Sequence, residues 1–348
     1  MDEGQIPLPG LTDGAQAAVQ YINNQLGGID GRKVELVTCS VDSTPETNQQ
    51  CGQKFANDPS LDMAMMGITT AGGPYYQALA PTSLPVLGIA PVTPADFVAP
   101  TNVVWYTSGG AGTYVALAKI AGIVKAHTVA YLQLDNPGGQ AGLTQFKELT
   151  KNMGLDIKSV PVSQTATDVL PQVTQADAAN ADYVVVGVPN CLPVAKALQT
   201  LGAKGKVASV GSCFAAATIK SNPSLFEGWY DPSYVRSPLE GTGKNSDMDT
   251  FLSNYPKYAK MSSNPVPSNA QDGWSGLLTL RNALQGLPAG QLDNKAAVLA
   301  ALKSFHGPVV LGPQSLDCSG NNPSYTSVCT LDSVIEQVHD GSLVPQQG

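Results

Sequence analysis

The chain has 348 residues, 43% of them hydrophobic and only 13% charged, about two domains of roughly 150 residues each and a composition that excludes disorder as the main state. A net charge of -8 and a pI near 4.8 leave no stretch with the positive field that nucleic acid demands. No run reaches the eighteen or so consecutive apolar residues of a membrane helix, the greasiest stretches such as Tyr183 to Val188 having strand length.

The first ten residues lack a charged segment followed by an apolar one, so an export signal is expected to have been removed or to lie upstream. Ala15, Ala18, Val19, Ile22 and Leu26 then recur at helical spacing behind Thr12 and Asp13, which read as the cap, and the run stops at Gly27-Gly28. Lys33 to Cys39 reads as a strand. Thr44-Pro45-Glu46 opens the next helix with a cap, a proline at the first position and an early carboxylate. Short apolar runs follow at Leu61 to Gly67, Pro85 to Ala90, Val103 to Thr107, His127 to Gln133, Leu155 to Val162, Asp182 to Val188 and Lys206 to Val210, most of them separated by helix-like stretches. Near-continuous apolar strands alternating with helices predict parallel sheets covered on both faces.

The pattern changes after Val210. Glu227 to Arg236 reads as a longer strand, followed by a polar stretch, Ser237 to Asp249, and by helical segments at Met248 to Tyr258, Ala270 to Leu287 and Asn294 to Ser304. The tail turns strand-like and glycine-rich. No period of 20 to 50 residues repeats, which disfavours solenoids and propellers.

Six cysteines include two short spacings, Cys39 with Cys51 and Cys318 with Cys329, that suit local disulfides better than metal knuckles. Cys191 and Cys213 follow consecutive strands at similar offsets and can meet as a third bridge. Six cysteines allow fifteen pairings, and only the two short loops strongly suggest a choice. Disulfides point to an oxidising compartment. The three histidines, His127, His306 and His339, are far apart and none is flanked by a nucleophile signature. A phosphate-binding loop, a G-x-S-x-G elbow, H-E-x-x-H and G-x-G-x-x-G are all missing. The reading is therefore of a protein that is no enzyme and takes neither metal nor cofactor.

Loops at the carboxyl ends of parallel strands are where α/β proteins hold ligands. One such loop reads Thr69-Thr70-Ala71-Gly72-Gly73 before Pro74, small hydroxyls and glycines that would offer O–H and N–H donors to an anion at a helix start. The same residues read equally as a helix cap with glycine for close packing. The next loop, Ala90-Pro91-Val92-Thr93-Pro94, repeats the arrangement of a hydroxyl before a proline-led helix.

The stretch from Ile22-Asn23 through Gly27-Gly28-Ile29-Asp30-Gly31-Arg32-Lys33-Val34-Glu35-Leu36 resembles the opening of the type I periplasmic binding proteins, the branched-chain amino acid (Leu/Ile/Val) receptors of ABC importers. The hydroxyl loop, the A-x-x-T loop at Ala90 and Thr93, the segment Tyr131 to Gly142, the strand endings at Gly187-Val188-Pro189 and Gly211, and the late Leu302-Lys303, Gly307-Pro308 and Leu311-Gly312-Pro313 follow the family in order and spacing. The likeness spans nearly the whole chain. It implies two doubly wound parallel-sheet lobes joined by a three-segment hinge and closing on a ligand, with crossovers near Thr107-Ser108, Arg236 and Gly312. The lobes would be residues 1–107 with 237–312 and residues 108–236 with 313–348.

By that resemblance Thr69, Thr70, Ala71, Ala90, Pro91 and Thr93 of the first lobe are ligand-binding candidates, joined by Gly139, Gln140, Pro189, Asn190, Phe214 and Tyr230 of the second. Phe214, Tyr230 and Tyr234 read at least as readily as core or hinge packing. Where the amino acid receptors carry a tyrosine before a glycine, this chain reads Asp135-Asn136-Pro137-Gly138-Gly139-Gln140, and where they carry an acid for the ammonium it reads Gly211-Ser212-Cys213-Phe214. A buried ammonium without an anionic or aromatic partner is strongly penalised, so a free α-amino acid fits poorly unless Asp135 or Asp231 takes over. A carboxylate or amide with a neutral, even aromatic, body fits better.

The expectation is an extracytoplasmic solute-binding protein, periplasmic or lipid-anchored at the cell surface, monomeric, handing a small organic ligand to an ABC permease. A ligand-sensing ectodomain of the same fold and an α/β hydrolase or dehydrogenase are the alternatives. The family also begins with a strand ahead of the first helix, whereas here Met1 to Gly10 reads as the loop after it, with Gln5 and Pro7 bordering the cleft.

Overall fold

The structure of the protein, a computed structural model, describes residues 8–42, 44–288 and 290–346. The chain divides into two compact units, Met1–Ala111 with Tyr234–Asp332, and Gly112–Ser233 with Ser333–Gly348. Gln5 and Pro7 lie outside the described residues.

In the first unit, helix α1 spans Pro9–Gln25, with the proline in its first turn where a missing N–H costs nothing. It thus begins earlier than the Thr12-Asp13 cap expected from the sequence. Asp13 serves a different end: its buried carboxylate accepts from the Tyr255 hydroxyl (2.6 Å) and from the Lys260 amide (2.8 Å). The helix stops as expected, with Gly27 and Gly28 at positive φ and the Gly28 amide returning to the Ile22 carbonyl. Helix α2 (Pro45–Ala56) carries Thr44 as its cap. A parallel sheet follows, β1 (Ala64–Met66), β2 (Val86–Gly88) and β3 (Val103–Trp105), in the order β1-β2-β3. Helices α3 (Gly72–Leu79) and α4 (Pro94–Phe97) connect these strands.

The core of this unit packs α1 on the helix Ala270–Leu284 around Ile22, Trp274 and Phe251. Gly14 and Gly273 make that approach possible: a Cβ on Gly14 would lie 1.9 Å from the Ala270 carbonyl oxygen, and one on Gly273 2.0 Å from that of Leu11. Lys33–Cys39, expected as a strand, joins no ladder among the described residues. It lines one wall of a groove whose other wall is β1 and its flanks.

The second unit holds a seven-stranded sheet in the order β10-β9-β8-β7-β6-β4-β5. Its members are β4 (Thr128–Leu134), β5 (Asp156–Val162), β6 (Tyr183–Gly187), β7 (Lys206–Ser209), β8 (Tyr230–Ser233), β9 (Val334–His339) and β10 (Ser342–Pro345). From β5 to β8 all pairings are parallel, whereas β9 and β10 return antiparallel. Val184, Val185 and Val186 of β6 are fully buried, as expected of a strand covered on both faces. The strand read at Glu227 to Arg236 shrinks to Tyr230–Ser233, because Gly228 at positive φ turns the chain before it and the crossing to the first unit follows at Ser233.

The first two crossings fall at Ala111/Gly112 and Ser233/Tyr234, close to the expected places, but the third lies at Asp332/Ser333 rather than near Gly312. Residues 313–332 stay with the first unit for a physical reason. The Trp105 amide donates to Ser327 and its carbonyl accepts from Cys329, extending the sheet beyond β3, and the Ser327 hydroxyl donates to the Asp96 carbonyl (2.6 Å). All three expected disulfides are formed, Cys39–Cys51, Cys191–Cys213 and Cys318–Cys329, and no cysteine is free. Among the described residues no helix is long and apolar enough to cross a membrane.

Candidate functional site

In the first unit, both predicted loops leave the carboxyl ends of adjacent parallel strands. The β1 loop carries Thr69, buried, and Thr70, exposed, ahead of half-buried Ala71. The Thr69 hydroxyl oxygen accepts from the Ala71 amide (3.2 Å), a side-chain turn that steers the chain into α3. Ala71 is the cap of α3 and supplies no side-chain oxygen. The amides of Gly72 and Gly73, first in the helix, therefore have no hydrogen-bond acceptor among the described residues.

The β2 loop is built the opposite way. Ala90 and Pro91 are buried, and Asp96, only 1% exposed, gathers the donors of Val92 and Thr93. Its Oδ2 accepts from the Val92 amide (2.9 Å), the Thr93 amide (2.7 Å) and the Thr93 hydroxyl (3.0 Å), while Oδ1 accepts from the Tyr76 hydroxyl (2.5 Å). Burial first, and then the charge of Asp96, push the Tyr76 phenol far above its ordinary pKa, so it stays a donor. A third loop locks the second from behind: the Gly110 amide donates to the Pro91 carbonyl (2.8 Å), and the Thr107 hydroxyl to that of Ile89 (2.5 Å).

The two loops meet at Asp96. A Cβ on Gly72 would lie 2.6 Å from Asp96 Oδ1 and 3.2 Å from the Tyr76 hydroxyl, so glycine at that position lets the start of α3 lie directly against the carboxylate. Sequence reasoning found the threonines and glycines but missed Asp96 and Tyr76. The signal for Asp96 was present, since Thr93-x-x-Asp96 is the acidic version of a capping box. Nothing in the pattern marked Tyr76.

In the second unit, Gly139 and Gln140 stand at the start of the helix Pro137–Thr150, where Asn136 accepts from the Gly139 amide (2.8 Å) and Gln140 is exposed. That helix start is already capped. Pro189 is exposed, and half-buried Asn190 donates to the carbonyls of Gln164 (3.1 Å) and Ala166 (2.7 Å), tying down the loop after β5. The Cys191–Cys213 bridge joins the loops after β6 and β7, with Phe214 buried beside it. Tyr230 sits in the core cluster with Tyr131, Val185 and Ile335. Of the two acids weighed as ammonium partners, Asp135 is exposed at the end of β4, and Asp231 is buried in β8 directly across from a second buried acid, Glu336 of β9.

The family profile described as periplasmic binding protein matches residues 4–328. The chain belongs to that family. Solved structures share its fold at low sequence identity. A putative branched-chain amino acid ABC transporter from Silicibacter pomeroyi is 17% identical over 98% of this chain and 92% of its own, with a TM-score of 0.76. A substrate-binding protein of an ABC transporter from Desulfitobacterium hafniense, in complex with Leu, is 16% identical over 97% of this chain and 95% of its own, at 0.71. A solute binding protein from R. palustris in complex with 4-hydroxybenzoate is 18% identical over 98% and 91%, at 0.72. No curated protein matches the sequence. As a periplasmic binding protein, the chain has the α/β fold with mostly parallel sheets that its sequence predicted.

Proposed function

We propose that this periplasmic binding protein captures a small organic ligand bearing a carboxylate or amide and delivers it, unreacted, to the permease of an ABC importer. The observation that carries the reading is the start of α3. At the carboxyl end of the first unit's sheet, the exposed Thr70 precedes the amides of Gly72 and Gly73, which no side chain among the described residues caps. Such an end favours an acceptor oxygen by about 0.3 to 2 kcal/mol, depending on burial. Buried Asp96 beside Gly72 offsets part of that preference for full negative charge, which keeps an amide or ketone oxygen in competition with a carboxylate.

The body of the ligand is neutral on this reading, aromatic or aliphatic, and the residues proposed to meet it from the second unit are Gly139, Gln140, Pro189, Asn190 and Phe214. Tyr230 is proposed only as support, given its place in the core. Structural relatives bind Leu and 4-hydroxybenzoate, and both ligands carry a carboxylate on a largely apolar body. The disulfides support an extracytoplasmic home, periplasmic or lipid-anchored at the cell surface. The proposal includes a monomer that performs no chemistry on its ligand.

A thermal-shift screen over amino acids, aromatic acids, aliphatic acids and the matching amides tests this, because a ligand at a hundred times its Kd adds about 2.7 kcal/mol of stability. Acids or amides that raise Tm, with Thr70→Ala reducing the shift, are the expected result. Stabilisation by none of these classes counts against the reading.

A further inference from the structure

The helix Ala270–Leu284 turns a stripe of buried polar residues, Asp272, Ser275 and Thr279, to one face. With buried Thr107 they line a cavity of about 10 Å3 that has Ile89 and Val309 among its apolar walls. On the same measure a single water needs roughly 10 to 15 Å3, so a space this small gathers its polar atoms around one point.

The two oxygens of Asp272, a residue only 1% exposed, are used differently. Oδ2 accepts from the Tyr234 hydroxyl (2.9 Å) and the Asn269 side-chain amide (2.6 Å), and neither residue lines the cavity. Oδ1 has no hydrogen-bond partner among the described residues and is the oxygen left to face the cavity. The hydroxyls around it have committed their protons elsewhere. Ser275 donates to the Val310 carbonyl (2.5 Å) and Thr107 to that of Ile89 (2.5 Å), while Thr279 accepts from the Val310 amide (3.0 Å) and keeps a second lone pair.

An occupant therefore meets an anionic oxygen and hydroxyl lone pairs, with at most one proton, that of Thr279, offered to it. A water has too few protons for these acceptors and leaves the charge uncompensated. A cation answers all of them. Buried charges are paired or coordinate metals, and among the described residues no lysine, arginine or histidine lines the cavity. Calcium takes about six to eight oxygens and magnesium keeps several waters of its own, so neither suits one carboxylate in a space for a single small sphere.

We infer that Asp272 Oδ1, with the hydroxyls of Ser275, Thr279 and Thr107, forms a buried site for one dehydrated alkali-metal cation, sodium or potassium. The ion neutralises the carboxylate that also holds Tyr234, the first residue after the second crossing. Through Thr107 it reaches the chain that leads into the first crossing, at Ala111/Gly112.

The test is thermal unfolding at pH 8 in choline chloride, with sodium or potassium replacing choline at constant ionic strength. The expected result is a Tm that rises saturably with one of these cations, by at least about 2 °C, and a rise that the isosteric Asp272→Asn abolishes. Equal Tm in all three salts, or the same rise in Asp272→Asn, overturns the inference. Should that variant fail to fold, crystals of the unchanged chain grown in rubidium chloride decide. An anomalous peak against Asp272 Oδ1 supports the site, and a water or no peak there overturns it.

Discussion

The β1 loop and the β2 loop of the first unit look alike in sequence, each a small hydroxyl residue ahead of a proline-containing helix start, yet they are opposite in electrostatic state. In the β2 loop, Asp96 already holds the Val92 and Thr93 amides, the Thr93 hydroxyl and the Tyr76 phenol. In the β1 loop, the helix cap is alanine and the first amides have no acceptor among the described residues. The comparison teaches that a threonine at a strand's carboxyl end is free for an outside partner only when no nearby acid has claimed it. Asp96 makes the second loop a rigid wall, and through Gly72 it sets the position of the first.

Asp96→Ala is the largest break in this arrangement. It strands four buried or half-buried donors and should cost about 3 to 5 kcal/mol in denaturant unfolding, the range for removing one partner of a buried charged network. A loss below about 1 kcal/mol would mean that the β2 loop does not depend on the carboxylate.

A second buried acid in the same unit sharpens the point. Asp272 receives only the Tyr234 hydroxyl (2.9 Å) and the Asn269 amide nitrogen (2.6 Å), both on Oδ2, while Oδ1 has no hydrogen-bond partner among the described residues. Burial pushes its pKa up to about 6, the two hydrogen bonds pulling the other way. The folded protein thus binds this proton more tightly than the unfolded chain, whose carboxyl titrates near 3.8. Stability from this group is highest below about pH 4 and is lost as pH rises through about 6, a change on the order of 3 kcal/mol. Asp272→Asn should flatten that part of the stability profile between pH 4 and 6. An unaltered profile would show that the carboxyl is solvated.

Much of this was legible in the sequence. Runs such as Tyr183 to Val188 are strands because they are apolar throughout, and Gly27-Gly28 ends α1 because only glycine adopts two successive positive φ angles cheaply. Cys191 and Cys213 were readable as a pair because parallel strands put equivalent loops side by side. Lys33 to Cys39 was not readable, since strand composition cannot create a pairing partner. Nor was the third crossing at Asp332, which depends on Trp105 meeting Ser327 and Cys329 across more than two hundred residues of chain. The threonines announced themselves by type, but which of them is spoken for is decided by Asp96 and Tyr76, whose convergence is tertiary.

Ligand binding separates the loops at the next level of effect. Thr70→Ala should weaken a carboxylate or amide ligand by about 1 to 2 kcal/mol, one hydrogen bond to a polar or charged group, while leaving unfolding unchanged because the side chain is exposed. Isothermal titration with the best ligand of the screen reads the first and urea unfolding the second. Affinity unaffected by Thr70→Ala would move the ligand away from α3.

Thr93→Ala is the smallest and most discriminating change. If the hydroxyl serves Asp96, its loss costs about 1 kcal/mol of stability and shifts affinity less than twofold, because Oδ2 keeps its two amides. If Thr93 instead turns its hydroxyl to the ligand, the same substitution weakens binding by about 1 to 2 kcal/mol. Stability then falls no further than before, since the Asp96 bond would have been surrendered in the complex. Measuring both quantities on one variant therefore decides whether the β2 loop is wall or hand.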